Sequence, residues 1–223
     1  MFNNPFNNLD TLRNNVYWIN PARISFYVPK SSFPYVVKRR VNKTRFSLVS
    51  KFFDQPLPFI ISEQAFSDIR QPVESVVRYQ IISDFIQNID NYEQSIWFKK
   101  LVTDLHQKGE ARHKKLSMTN LDEVHAFFNG YVIALYESLI ADGFDLSKGK
   151  DVAKVYIDAD GDILKGESGF HRFAIARIVG IKKMPVRVQG VHALWADGVT
   201  AKKPLAAKID QYFSCLGVSA SSS

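Results

Sequence analysis

The sequence predicts an α+β fold: a small mixed sheet with surrounding helices and a helical elaboration. Three observations carry that expectation. Short runs rich in Val, Ile and aromatic residues stand at 16–28 and again at 155–188. Between Ser62 and Gly143 the apolar residues recur at helical spacing. Asp158 to Val188 then runs as a turn, a short strand, a glycine-flanked loop, a helix and another strand. At 223 residues the chain can bury a real core, and one domain is expected. Its parts are N-terminal strands in 16–60, the elaboration in 62–118, a core unit in 131–196 and a frayed tail in 217–223.

Residues 1–15 are rich in asparagine and read as irregular. Val16 to Ile19 and Ile24 to Val28 are strand candidates interrupted by Asn20-Pro21, with Tyr17, Trp18, Phe26 and Tyr27 as their large apolar groups. The next stretch carries Lys38, Arg39, Arg40, Lys43, Arg45 and Lys51 with no acid among them. Alternation with Val36, Val37, Val41 and Phe46 predicts a strand or ribbon there. Such a run is usually a solvated face, and beside an anion site it steers phosphorylated ligands. Pro56 and Pro58 mark a loop.

After Pro72, the positions Val77, Ile81, Phe85 and Ile89 form an i, i+4 stripe that Ile82 and Ile86 widen. A second helix runs through Trp97, Leu101 and Leu105 and stops at Gly109. Glu110 to Thr119 reads as a polar linker. Thr119 or Asn120 caps a long helix whose core stripe is Val124, Phe127 or Phe128, Tyr131, Leu135 and Leu139, ending at Gly143. Asp160-Gly161 signals a hairpin between Val155–Ile157 and Ile163–Leu164. The next helix opens near Phe170, capped by Ser168 or Gly169, and ends at Gly180 before a strand over Met184–Val188. Ala201 to Pro204 is loop-like, and Ala206 to Leu216 is a last short helix.

The unusual feature is the first turn of the helix at Phe170. Unpaired N–H groups there carry partial positive charge and favour acids. This chain places His171 and Arg172 there instead, each misplaced cation costing about 0.3–1 kcal/mol when exposed. The rule is broken in the direction that makes an anion site, because a phosphate can accept from loop N–H groups, imidazole and guanidinium together.

Gly169-Phe170-His171-Arg172, the alanine-containing helix, Gly180 and Pro185-Val186-Arg187-Val188 resemble the signature of the ParB/sulfiredoxin superfamily. Leu135 to Gly143 resembles the helix that precedes that signature, so the likeness covers 131–196. Val16 to Ile24 and Val191 to Trp195 resemble ParB-like nuclease-domain proteins of the uncharacterised branch associated with surface-glycan gene clusters. The resemblance implies a helix N-terminus that binds nucleotide phosphates, for phosphotransfer in some members and nucleotide switching in others. Departures narrow it. Phe170 stands where sulfiredoxin has its nucleophilic cysteine, which excludes sulfinic acid reduction. Gly-Phe-His-Arg replaces the Gly-Glu-Arg-Arg box of partition proteins, and Ser168 replaces the Asp of the related kinases.

The implied activity is a nucleotide-dependent phosphotransferase using ATP or another nucleoside triphosphate with Mg2+. Its acceptor is a small hydroxylated molecule, such as a sugar or glycan precursor. His171 and Arg172 hold the phosphates, with Ser168 and Gly169 donating at the helix start. Glu167 is the leading base or metal carboxylate, and Asp158 and Asp160 are candidate metal ligands, with Glu137 a weaker carboxylate. Lys165 and Arg177 add charge. Two rivals use the same surface: a nucleic-acid-binding protein or nuclease, for which no helix-turn-helix or aromatic-basic interleaving is evident, and a nucleotide sensor without turnover.

Composition limits the rest. Net charge of +7 favours anionic partners. Cys215 stands alone, so neither an internal disulfide nor a cysteine metal cluster can form, and a reducing, cytoplasmic setting is expected. No basic-then-apolar leader and no run of about 18 apolar residues predicts a secretion signal or membrane span. Asp158, Asp160 and Asp162 alternate like a calcium loop, but Ile163 and Gly169 stand where that loop needs glycine and glutamate. Gly166 to Gly169 falls one residue short of a nucleophile elbow. His106, His113 and His125 lack ligand spacing on one helix, and His192 reads as a half-buried edge histidine.

Overall fold

The computed structural model describes residues 9, 12–29, 59–61, 70–147, 152–217 and 220–221. The basic stretch from Lys38 to Lys51, Pro56 and Pro58 lie outside the described residues. The fold is α+β with a mixed sheet. Strands β1 (Val16–Ile19), β2 (Phe26–Tyr27), β3 (Ile60–Ile61) and β4 (Gln71–Pro72) precede the helical segment, and β5 (Ala111–His113) and β6 (Leu116–Met118) lie within it. Strands β7 (Ala153–Ile157), β8 (Ile163–Lys165), β9 (Met184–His192) and β10 (Ala220–Ser221) follow.

The main sheet runs β10-β1-β9-β7-β8-β2-β4, with β3 added alongside β9. Strand β9 pairs antiparallel with β1 and parallel with both β7 and β3. Pro185 is tolerated in this central strand because the β7 ladder begins only at Val186. Gly190 is needed because β3 crosses it closely: a Cβ there would stand 2.7 Å from the Phe59 carbonyl oxygen. The expected β7–β8 hairpin forms around Asp160-Gly161, pairing Ile157 with Ile163. Strand β10 pairs with β1 in a stretch whose composition predicted a frayed end.

The helices are α1 (Val77–Gln87), α2 (Ile96–Lys108), α3 (Leu121–Phe127), a π segment (Phe128–Ile133), α4 (Ala134–Asp142), α5 (Phe170–Ile178), α6 (Ala193–Ala196) and α7 (Lys202–Cys215). Their ends follow local chemistry. Ser95 accepts from the Phe98 N–H and Gly109 closes α2 in the left-handed region. Asn120 accepts from the Glu123 N–H while Glu123 reaches back to Thr119. Leu121–Asp142 is the one described helix long and apolar enough to cross a membrane, and Val124, Phe127, Phe128, Val132 and Leu139 place its apolar side in the protein core.

Four sequence expectations change. Val77 is 68% exposed, and the buried side of α1 is Ile82 and Phe85, so the stripe is rotated towards α5 and α2. Glu110 to Thr119 is a β-hairpin instead of a linker. Ala201 to Pro204 leads into and enters the first turn of α7, where proline's missing N–H costs nothing. Tyr131 is 42% exposed instead of buried, because the π segment inserts a residue and turns it out of the core stripe.

Helix α5 is held between α1 and α4. Arg177, expected to add charge to the site, instead clamps the N-terminal loop, donating to the Pro21, Ala22 and Ile24 carbonyls and pairing with Glu74. His192 caps α6 by accepting from the Leu194 N–H.

Candidate functional site

The loop before α5 is shaped by close contact with β7. A Cβ on Gly166 would meet the Tyr156 ring at 3.0 Å and the Lys154 carbonyl at 3.2 Å. Gly169 caps α5 with φ of 71°, and a Cβ on it would stand 3.1 Å from the Ala153 Cα. Glycine at both ends therefore lets the chain turn tightly and present the open N-terminus of α5.

Lys165 lies under this loop, fully buried. Its Nζ donates to the carbonyls of Gly166 (2.6 Å), Ser168 (2.5 Å) and Lys154 (3.4 Å). Burial pulls its pKa down to about 7, with Arg78 and Lys154 acting in the same direction and Glu167 opposing. Lys165 is thus a brace for the loop and not, as its charge suggested, a group lining the site.

A cavity of about 590 Å3 opens above the loop, a size typical of small-molecule sites. Glu167, Ser168, Gly169, His171 and Arg172 all line it. The opposite wall comes from the helical elaboration, which contributes the cations Arg78, Lys100, Arg112 and Lys114. With Arg172 they outnumber the lining carboxylates Glu167 and Asp104; Lys100 pairs with Asp104 and Arg112 with Glu110, at 2.8 Å, so Arg78, Lys114 and Arg172 carry most of the cavity's positive charge. Arg78 lies over the Phe170 ring, its guanidinium carbon 5.3 Å from the centroid. Lys114 holds φ of 55°, a left-handed conformation that costs a lysine about 1–2 kcal/mol. This outlier sits on the cavity's rim.

The dipeptide His171-Arg172 supplies one cation, not two. His171 stacks on Trp97 (ring centroids 5.6 Å apart, 20° between planes) and meets the edge of His113 at 5.3 Å. Burial, reinforced by His113, Lys114 and Arg78, drives its pKa down to about 3. It is therefore neutral at pH 7 and offers one N–H donor. Burial also lowers His113, with Lys114 and Arg78 next, and its Nε2 is buried with no hydrogen-bond partner among the described residues.

The proposed metal pair lies elsewhere. Asp158 accepts from the Asp160 and Asp162 N–H groups and takes Arg70 at 2.6 Å, so it stabilises the β7–β8 hairpin. Asp160 is exposed and also faces Arg70, at 4.0 Å. Neither lines the cavity, and neither fits a Mg2+ held against phosphates there. Glu137 is exposed and does not line the cavity either. Among the described residues no three His, Cys, Asp or Glu side chains are grouped to hold a metal. Asp158→Ala is expected to cost about 2–3 kcal/mol in urea denaturation, because two N–H groups lose their acceptor and Arg70 loses its nearest carboxylate, keeping Asp162 at 3.5 Å, while any ligand response of the cavity persists.

Arg78, Trp97, Lys100, His113, Lys114 and Tyr131 were not legible as site residues. Their only local signal is Lys114-Lys115 at a hairpin turn, where glycine or asparagine is usual. Together, fold and site define an α+β protein with a cationic cavity at a glycine-turned helix N-terminus. Comparison of the chain with protein-family models, curated proteins and solved structures finds no match.

Proposed function

We propose that the protein is a nucleotide-dependent phosphotransferase built on a ParB/sulfiredoxin-like core and acting on a small hydroxylated acceptor. The observation that carries the reading is that Arg78, Lys114 and Arg172, with the ion-paired Lys100 and Arg112, line one cavity together with the N-terminus of α5. Phosphoryl transfer depends mainly on positioning and on stabilising charge across phosphate oxygens. Cations from two separate parts of the fold supply that charge, and the α5 N–H groups add to it. The reducing, cytoplasmic setting that a single cysteine suits is part of the same reading.

A bound nucleoside triphosphate supplies the phosphoryl group: the acceptor oxygen bonds to the terminal phosphorus, the bond to the diphosphate oxygen breaks, and the hydroxyl proton leaves. Arg172 and the opposing cations hold the phosphate oxygens. Neutral His171, fixed by its stack on Trp97, donates one hydrogen bond without adding charge. Glu167, exposed at the cavity edge, is the carboxylate that receives the proton. No step is assigned to Asp158 or Asp160.

The test is thermal unfolding with ATP, CTP and ADP, each with and without Mg2+. At a ligand concentration of 100 Kd, wild type gains about 2.7 kcal/mol, and Arg172→Ala loses most of that gain. Transfer of the terminal phosphate to an added alcohol completes the case. No shift with any nucleotide overturns the reading; a shift without transfer reduces it to nucleotide sensing. Duplex binding that weakens steeply with salt and ignores nucleotide would favour the nucleic-acid alternative.

A further inference from the structure

A second concavity, a groove of about 800 Å3, lies between the β5–β6 hairpin and the π segment. It differs from the cationic cavity in chemistry. Leu116, Met118, Ala126, Phe127 and the open backbone of Gly130 make its surface mainly apolar. Leu116, 47% exposed, is a large apolar side chain left partly open there.

The two concavities are neighbours: His113, Lys114 and Tyr131 line both. Most of the cations line the first concavity, whereas the groove is the more apolar of the two, with Lys114, Lys115 and Glu123 as its charged residues. The π segment produces this shape. Its extra residue turns Tyr131 outward to the junction and leaves Gly130 facing space, with no atom within 4 Å of where a Cβ would stand.

We infer that the groove seats the apolar body of the acceptor, an amphipathic alcohol whose hydroxyl end enters the cationic cavity past His113, Lys114 and Tyr131. The inference rests on the phosphotransfer reading for its word acceptor; the seat for an anionic amphiphile is testable without it. The product of transfer would be an alkyl or aryl phosphate ester, phosphate among the cations and body along the groove.

Phosphate esters are therefore the probes. Inorganic phosphate, butyl phosphate and octyl phosphate, kept below micelle formation, are titrated calorimetrically into wild type, Gly130→Leu and Arg172→Ala. Affinity is expected to rise about twofold per added methylene, less than full burial would give because the groove is open. Octyl phosphate should then bind at least tenfold more tightly than inorganic phosphate. Gly130→Leu fills the groove from a position with room for the side chain, so it erases the chain-length gain while inorganic phosphate still binds. Arg172→Ala weakens all three probes. An octyl phosphate affinity equal to that of inorganic phosphate overturns the inference, as does a gain that survives Gly130→Leu. A gain present in a protein that no nucleotide stabilises would keep the groove assignment and remove phosphotransfer instead.

Discussion

Lys165→Met is expected to lower stability by about 2–4 kcal/mol at pH 7, to loosen the Gly166–Gly169 turn and to weaken nucleotide binding without touching the ligand. Three carbonyls accept from Nζ; with methionine there, the Lys154 carbonyl keeps the Gly166 N–H at 2.9 Å, Ser168 keeps only a long bond from the Lys154 N–H at 3.5 Å, and Gly166 loses its donor. An orphaned buried acceptor costs about 1–3 kcal/mol, partly offset because a buried cation is no longer desolvated. The pH profile identifies the cause. With a folded pKa near 7 against an ordinary 10.5, the unfolded chain binds more protons than the folded one across that interval. Wild-type stability therefore rises with pH above 7. Tyr156 and Tyr212, both raised to about 12 mainly by burial, reverse the trend once unfolded tyrosines ionise near pH 10. The rise is thus read between about pH 7 and 9.5, by urea midpoints at constant m value. Lys165→Met should abolish it. A mutant with wild-type stability and the same slope would show that the brace contributes nothing.

Acidification gives the second large effect. His171, ordinarily near 6.5, is held at about 3 in the folded protein, so between those values the unfolded chain carries the extra proton. Stability consequently falls as pH drops below 6.5. The loss through this residue is on the order of 2–3 kcal/mol by about pH 4.5, and His113 acts in the same direction. His171→Phe keeps a ring against Trp97 and removes the titration. Its unfolding midpoint should decline more shallowly with acid than that of wild type, with a residual slope from His113. Parallel wild-type and mutant curves would remove His171 from this account.

The local parts of the site were readable before any fold was known. Asp160-Gly161 predicted its hairpin, Gly169 the start of α5 and Gly180 its end, because turn and cap preferences are properties of a few neighbouring residues. The arrangement of Glu167, Ser168, Gly169, His171 and Arg172 on one cavity follows from that continuity. The far wall did not. Arg78, Lys100 and Lys114 stand more than fifty residues away in sequence, on segments whose charges resemble any solvated face. Lys165 and Arg177 show the converse error, since a cation near a site in sequence was turned to backbone carbonyls in space.

By itself the sequence determined the longer helices, the strands around the Asp160-Gly161 turn and the α+β class, because hydrophobic period and capping chemistry act over one or two turns of chain. Only the tertiary structure decided which side of α1 is buried, that Glu110 to Thr119 pairs as a hairpin, that the π segment turns Tyr131 outward, and that His171 is neutral. Each of those depends on what packs against the residue. Burial and charge state are set by neighbours distant in the chain, and no local preference encodes them.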